Sequence, residues 1–187
     1  MTEPAAAGIV LDFWFAEVPH SAHFAADPAF DERLRRRFGP LHDILSTSVS
    51  AEWTATPRGR LAAVIVLDQF SRNLFREGAA AFANDATARE LTNRALARGD
   101  DAGFGTVERQ FTAMPLMHSE TAADQARSVT LYDALGDPDA AAFARLHAAT
   151  IARFGRFPAR NAALGRVSTA DELSLLAAHP DGLLRPR

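Results

Sequence analysis

The sequence predicts an all-α protein, and three observations support this prediction. Apolar residues, many of them alanine, recur at the three- and four-residue spacing of a helix and nowhere alternate for long as they do in a strand. Proline follows a capping residue at several positions, which is how many helices begin. Glycine stands just after several apolar stretches, where helices often end. The pattern predicts eight or nine helices that are joined by short loops and packed as antiparallel pairs.

The predicted helices follow one another with short breaks. In chain order, we expect them at residues 4–18, 28–47, 57–75, 85–98, 106–113, 119–135, 138–154 and 170–178. In the first of them, Ile9, Val10, Phe13 and Trp14 are expected to lie on one buried face. Prolines should interrupt two others. Gly39-Pro40 is expected to kink or restart the second helix, and Pro115 to break the fifth. The C-terminal residues 181–187 are expected to be loose.

Capping residues indicate where four of these helices begin. Asp27, Thr56 and Asp137 each precede a proline. The side chain of each can accept a hydrogen bond from a backbone N–H in the first turn of a helix. The proline that follows has no N–H of its own, so it fits the first position of the helix. Thr169 and Glu172 have the spacing of a capping box, in which each side chain bonds the backbone N–H of the other residue. These four starts depend on local sequence alone.

Length and composition narrow the class of protein. A chain of 187 residues suits one domain, so we predict a single domain over residues 1–187. The absence of cysteine excludes disulfides and thiolate metal sites. The net charge of −3 argues against a nucleic-acid partner. No apolar run approaches the ~20 residues that cross a bilayer, and no basic segment precedes the first apolar run. We therefore expect a cytoplasmic protein with no membrane partner.

A buried helix that becomes polar is the first candidate functional feature. Leu61–Leu67 is apolar all round, which predicts a helix at the centre of the domain. The same helix continues into Asp68, Gln69, Arg72 and Asn73. Burying such side chains costs free energy unless they are paired. They either pair with one another as a structural cluster or line a cleft, and the sequence leaves both interpretations open.

The second candidate is the segment Met114–Glu120, which contains His118, Ser119 and Glu120. Ser119 and Glu120 suit the start of a helix, where they would satisfy backbone N–H groups and the helix dipole. Alternatively, His118 is a general base or a ligand, with Glu120 or Asp124 nearby. A nucleophilic Ser119 would need a histidine from elsewhere, which His147 could supply. Because no two histidines have metal-ligand spacing on one helix, we predict no metal and no other cofactor.

The third candidate is the segment 153–166, which contains four arginines and no acid. Arg156 and Arg160, together with Asn161, could bind an anion, because a guanidinium matches the geometry of a carboxylate or a phosphate. Alternatively, these arginines pair with carboxylates elsewhere in the chain. By contrast, the arginines of Arg33–Arg37 are expected to lie on a solvent-exposed helix face.

Several long stretches of the sequence together form a family pattern. They are Leu11–Phe15, Trp53, Thr56–Leu61, Leu67–Arg76, Met114–Glu120, Phe154–Asn161 and Leu164–Arg166. Through them the chain resembles the bacterial Domain of Unknown Function 924 family. The resemblance implies an all-α fold similar to tetratricopeptide repeats, a right-handed array of helix pairs, and it implies no established activity. Ala159 departs from the pattern, because the resemblance leads us to expect a histidine at this position in many relatives.

Three functions are compatible with these groups. In the first, which we favour, a polar cleft binds a small anionic metabolite or a peptide carboxylate. The predicted binding residues are Arg72, Asn73, Ser119, His147, Arg156, Arg160 and Asn161. In the second, the protein is a hydrolase or lyase in which His118 transfers a proton and Glu120 or Asp68 orients it, while arginines stabilise negative charge. In the third, the polar groups only lock the helices together, and an outer surface or a homodimer interface carries the function.

Overall fold

The computed structural model describes residues 3–185, and no strand occurs in that range. Its α-helices, in chain order, are α1 (Ala5–Asp12), α2 (Pro28–Thr47), α3 (Pro57–Val64), α4 (Ser71–Leu74), α5 (Asp85–Ala97), α6 (Thr106–Met117), α7 (Ala122–Asp133), α8 (Pro138–Phe154) and α9 (Ala170–Ala178). A π-helical segment, Phe13–Glu17, follows α1, and a second, Ile65–Phe70, joins α3 to α4. The prediction of an all-α fold is confirmed.

The chain divides into two compact units. The first runs up to Arg76 and includes Ala80–Phe104, and the second combines Glu77–Ala79 with the chain from Gly105 onward. Helices α1 to α5 belong to the first unit and α6 to α9 to the second. Within the described residues, no helix has both the length and the hydropathy that crossing a bilayer requires. The single domain over residues 1–187 and the repeat-like array stay predictions.

Four helices begin where the capping residues predict. Asp27, Thr56 and Asp137 each accept a hydrogen bond from a backbone N–H two or three residues later, at 2.9–3.0 Å. Thr169 and Glu172 form the two hydrogen bonds of a capping box. Each cap satisfies N–H groups that have no partner within the helix.

The two internal prolines do not end their helices. Helix α2 continues through Pro40 to Thr47, and the prediction that Pro115 breaks its helix is wrong, because α6 runs through it to Met117. Proline removes one backbone hydrogen bond and disturbs the turn before it, which costs about 3 kcal/mol in a helix interior. The last two turns of α6 are buried throughout, so packing outweighs this cost. Gln125 also donates its side-chain N–H to the carbonyl of Met117 at 2.7 Å, which satisfies one end group of the helix.

The core of the first unit contains the apolar segment Leu61–Leu67, all of which is buried, as predicted. The rings of Phe13 and Phe70 lie 4.8 Å and 5.1 Å, respectively, from that of Phe38 between their centroids. Ile9 does not join this core, because half of its side chain is exposed. The buried face of α1 instead follows the i, i+3, i+4, i+7 positions that begin at Ala7, from which Ile9 is excluded.

In the second unit, α7 packs against both α6 and α8. The C-terminal segment is fixed there as well. Leu183 is buried against Ile151 and Phe157, and the N–H of Leu184 donates to Thr150 Oγ1 at 2.8 Å. The expectation of a loose C-terminus is therefore wrong as far as residue 185, and residues 186 and 187 lie outside the described residues. Ordering these residues costs conformational entropy. The burial of Leu183 and the accompanying hydrogen bonds together offset this cost.

Candidate functional site

The polar end of the central helix lies in the first unit, and its charges are paired there. Asp68 is almost wholly buried and accepts a hydrogen bond from Gln69 at 2.6 Å. Arg72 Nη1 lies 3.1 Å from Asp68 Oδ1 and 3.0 Å from Asp85 Oδ1. Although burial opposes the charge, the two carboxylates raise the pKa of Arg72. The arginine thus joins the π-helical segment to the start of α5.

Asn73 is the other predicted ligand residue of this helix, and it binds a carboxylate of the protein itself. Its Nδ2 donates to Asp31 Oδ1 at 2.8 Å, and Arg76 Nη2 donates to the same oxygen at 2.9 Å. Burial alone would raise the pKa of Asp31, but the hydrogen bonds from Arg76 and Asn73 lower it. Arg72 and Asn73 therefore connect α4 to α5 and α2, as the structural interpretation of this group expects.

A serine–histidine pair that the sequence analysis missed lies beside this helix. His42 Nε2 is 2.8 Å from Ser71 Oγ, and Asn84 Nδ2 lies 3.3 Å from the same oxygen. Ser71 has no exposed surface, and its hydroxyl donates to the carbonyl of Leu67 at 2.7 Å. A nucleophile must reach its substrate, so this arrangement is a buried polar network. The position of His42 four residues after Phe38, on the inner face of α2, is the only sequence signal for it.

Glu120 belongs to the second unit, where it binds the arginine-rich segment. Arg166 donates to it from Nη1 at 2.8 Å and from Nη2 at 3.0 Å, and the N–H of Phe157 donates at 2.8 Å. Burial acts to raise the pKa of Glu120, but the hydrogen bonds from Arg166 and Phe157 lower it. Among the described residues, no hydrogen bond joins the Glu120 carboxylate to His118. The role of Glu120 in orienting that histidine stays a prediction.

Glu172 is the second carboxylate that this segment binds, and it is 2% exposed. Arg156 donates to its two oxygens at 2.7 Å and 2.8 Å, and Asn161 Nδ2 lies 3.3 Å from Oε2. The bidentate hydrogen bond from Arg156, together with the N–H of Thr169, lowers the pKa of Glu172 to about 2. The sequence pattern identifies Glu172 only as a capping residue. Its second role depends on a loop 16 residues earlier, which no local signal reveals.

Ser119 takes part in the start of α7. Its hydroxyl donates to Asp124 Oδ2 at 2.7 Å and lies 3.1 Å from Thr121 Oγ1. Within residues 3–185, no hydrogen bond connects Ser119 to a histidine. The geometry therefore matches the helix-start interpretation of Ser119 and does not supply the base that a nucleophile needs.

The remaining predicted residues of the second unit come together around one phenyl ring. The ring of Phe157 lies 5.4 Å from that of His147 and 4.6 Å from the guanidinium carbon of Arg160. The rings of His118 and His147 are 6.2 Å apart. Arg160 also donates from Nη2 to the backbone carbonyl of His118 at 2.9 Å. We call His118, His147, Phe157 and Arg160 the histidine–arginine cluster.

His147 is a strongly perturbed base of this cluster. Its Nδ1 lies 2.9 Å from the carbonyl of Phe143 and donates to it, which leaves the lone pair of Nε2 as an acceptor. That Nε2 has no hydrogen-bond partner in the part of the chain that the structure describes. Burial is the main reason that the pKa of His147 is lowered to about 3, and the nearby charges of His118 and Arg160 act in the same direction. His147 is therefore a neutral hydrogen-bond acceptor at physiological pH.

The lowered pKa of His147 predicts a pH-dependent loss of stability. In the unfolded chain this histidine binds a proton near its ordinary pKa of 6.5, whereas the folded protein binds it only near 3. The stability that His147 contributes is complete above pH 7 and falls as the pH decreases from 6.5 towards 3, by about 1.4 kcal/mol at pH 5.5. We expect urea unfolding at pH 7.5 and 5.5 to show a loss that is larger by this amount in the native protein than in His147→Asn.

The asparagine variant is the matched control for this measurement. Its side-chain amide can still donate to the carbonyl of Phe143 but cannot titrate. The pKa values of the buried residues His23 and His42 are also lowered by burial, and their contribution is the same in both proteins. An equal pH dependence in both proteins would contradict the assignment to His147.

Within the described residues, no group of three histidine, aspartate or glutamate side chains could hold a metal ion.

Comparison with known proteins places the chain in a family. A solved structure of a protein of unknown function from Agrobacterium tumefaciens is 34% identical, with a TM-score of 0.88 over 93% of this chain and 98% of that one. No curated protein matches the sequence. A family model described as "Bacterial protein of unknown function (DUF924)" matches residues 10–179, and the chain therefore belongs to this family.

Proposed function

We propose that the protein binds a small organic anion, either a metabolite or the C-terminal carboxylate of a peptide, at the histidine–arginine cluster. The observation that carries this proposal is the position of Arg160 next to a neutral imidazole acceptor. Its guanidinium lies over the ring of Phe157, which also contacts His147. A cation and a neutral acceptor that share one aromatic wall suit a ligand with both an anionic group and a hydrogen-bond donor.

The electrostatics of the cluster favour an anion. The charge of Arg160 contributes to lowering the pKa of both Glu120 and His147, so its positive potential reaches both side chains. The hydrogen bond to the carbonyl of His118 and the contact with Phe157 restrict the guanidinium to one orientation. An arginine that is already oriented loses less conformational entropy when it binds a carboxylate.

Two other arginines of the segment pair with glutamates. Arg156 and Arg166 each form a bidentate pair with a glutamate of the same unit. Such pairs are strong and directional, and a ligand would have to displace them. We therefore propose that Arg156, Arg166 and Asn161 hold the loop in place.

The neutral Nε2 of His147 narrows the class of ligand. It can accept a hydrogen bond from a hydroxyl or an amide N–H that lies close to the anionic group. Peptide C-termini and 2-hydroxy acids both have this arrangement. A pKa of about 3 makes His147 a weak base at neutral pH, so proton abstraction is not the role that we propose for it.

The binding prediction can be tested by calorimetry with defined probes. We expect N-acetyl-alanyl-alanine to bind when its C-terminus is a free carboxylate and not when it is an amide. Arg160→Gln should weaken this binding at least about tenfold, or about 1.4 kcal/mol, because it removes the cation. Glycolate and inorganic phosphate, titrated in parallel, test whether a small metabolite anion binds in place of a peptide.

The chain offers a matched control for this variant. Arg153 lies on the same segment, but it is exposed and pairs with the exposed Asp171 at 2.7 Å. Arg153→Gln should therefore leave binding unchanged. His147→Gln retains an acceptor near the position of Nε2 and should bind better than His147→Phe. Equal losses in the Arg153 and Arg160 variants, or no binding by any probe, would count against the proposal.

A further inference from the structure

A cleft lies in the first unit, between the loop that follows Pro19 and the first turns of α2. Its volume is about 360 Å³, which lies within the range of small-molecule sites. The walls are mostly apolar and include Pro19, Ala22, Ala25 and Phe30. Two charged residues, Asp27 and Arg33, complete the lining. A cleft of this kind suits a ligand with an apolar body and one charged group.

Arg33 is held in place at this cleft by aromatic rings. Its guanidinium carbon lies 5.2 Å from the centroid of Phe13 and 5.4 Å from that of Phe30. In the described part of the chain, no carboxylate lies within ion-pair distance of Arg33 and no hydrogen bond uses its N–H groups. One turn later, Arg37 also contacts Phe13 but donates to Glu17 at 2.8 Å. Stacking on rings leaves the edge of a guanidinium available for a bidentate contact.

The loop that forms the other wall is fastened to the core. His23 Nε2 lies 2.7 Å from the carbonyl of Trp14, and the two rings stack with their centroids 4.4 Å apart. Trp14 itself is fully buried. The wall that contains Ala22 and Ala25 is therefore built before any ligand arrives, which reduces the entropy cost of binding.

We propose that this cleft binds a monocarboxylate with an apolar body. The carboxylate accepts two hydrogen bonds from Arg33, and the apolar part packs between Phe30 and the loop wall. Asp27 determines which carboxylates fit. One of its oxygens accepts the N–H of Ala29 at 2.9 Å as the cap of α2, and its negative charge repels a second carboxylate on the ligand. The cleft therefore prefers monocarboxylates to dicarboxylates.

Titration of the isotope-labelled protein with 3-phenylpropionate, followed by two-dimensional NMR, tests this site. We expect the shift changes to map to residues 13–33. Arg33→Gln should weaken binding at least tenfold. Arg36→Gln is the matched control, because Arg36 is exposed on the same helix and its ion pair with Glu32 is loose, at 3.8 Å. The uncharged analogue 3-phenylpropanol should bind at least tenfold more weakly than the acid.

The selectivity has its own test. The dicarboxylate 4-(2-carboxyethyl)benzoate should bind more weakly than 3-phenylpropionate, and Asp27→Asn should reduce this difference several-fold while retaining a good helix cap. Arg160→Gln should leave the titration of this cleft unchanged, which separates it from the histidine–arginine cluster. The proposal fails if the alcohol binds as tightly as the acid, if Arg33→Gln has no effect, or if the shifts map to His147 and Arg160.

Discussion

Replacing Glu172 with alanine is expected to lower the free energy of unfolding by about 3 kcal/mol. This carboxylate is 2% exposed and holds three groups at once, since it accepts hydrogen bonds from Arg156, Asn161 and the N–H of Thr169. Alanine would leave the Arg156 guanidinium, which is about one quarter exposed, without its bidentate partner. The full cost of an unpaired buried charge is therefore reduced by solvent, but the lost helix cap adds to it. Urea unfolding at pH 7 measures this loss.

The neighbouring Asp171 supplies the control. It also pairs with an arginine, Arg153, but both side chains are more than half exposed. Because water and salt screen such a pair, Asp171→Ala should cost less than about 1 kcal/mol. Glu172→Gln retains the capping box and loses the ion pair, so its effect should fall between the two alanine variants. If Asp171→Ala and Glu172→Ala were equally destabilising, the central role of Glu172 would be refuted.

Gly59→Ala is expected to cost about 2–3 kcal/mol, although alanine is ordinarily the better helix former. Gly59 lies in the first turn of α3, and a Cβ there would lie 2.6 Å from the backbone carbonyl oxygen of Trp53 and 3.1 Å from Thr56 Oγ1. Neither atom can move without shifting the loop or breaking the cap that Thr56 provides at 3.0 Å. Thermal unfolding should show a lower Tm with unchanged helix content.

Gly8 provides the opposite case, because it also lies inside a helix. A Cβ at Gly8 would meet no atom within 4 Å, so Gly8→Ala should stabilise the protein by about 0.5–1 kcal/mol. Opposite signs at Gly8 and Gly59 would show that close approach to Trp53 determines the effect. A neutral or stabilising Gly59→Ala would contradict this interpretation.

Several of the predicted site residues form ion pairs or hydrogen bonds within the protein, which supports a structural role for them. Arg72 and Asn73 bind Asp68, Asp85 and Asp31 within the first unit. In the second unit, Glu120 and Glu172 bind Arg166 and Arg156, respectively. The structural interpretation accounts for these residues. We assign the anion to the histidine–arginine cluster, which contains His118, His147 and Arg160.

Much of the fold could be predicted from the sequence because its determinants are local. A cap such as Asp27 or Asp137 needs only the N–H groups two or three residues later. Leu61–Leu67 is apolar on every side, which requires burial whatever surrounds it. Errors arose where local preference and packing disagree. Pro115 favours a break, but the buried turns around it keep the helix intact.

The candidate site was predictable only as a set of residues. The sequence by itself identified His118, His147 and Arg160 as candidate residues, because candidacy depends on side-chain type. Only the tertiary structure decided which arginine is held by which carboxylate, since Arg166 and Glu120 are 46 residues apart. Tertiary packing also decided that His147 is neutral, because its pKa depends on burial in the folded protein. The amino-acid sequence alone reveals neither the pairing of arginines with carboxylates nor the burial that lowers the pKa of His147.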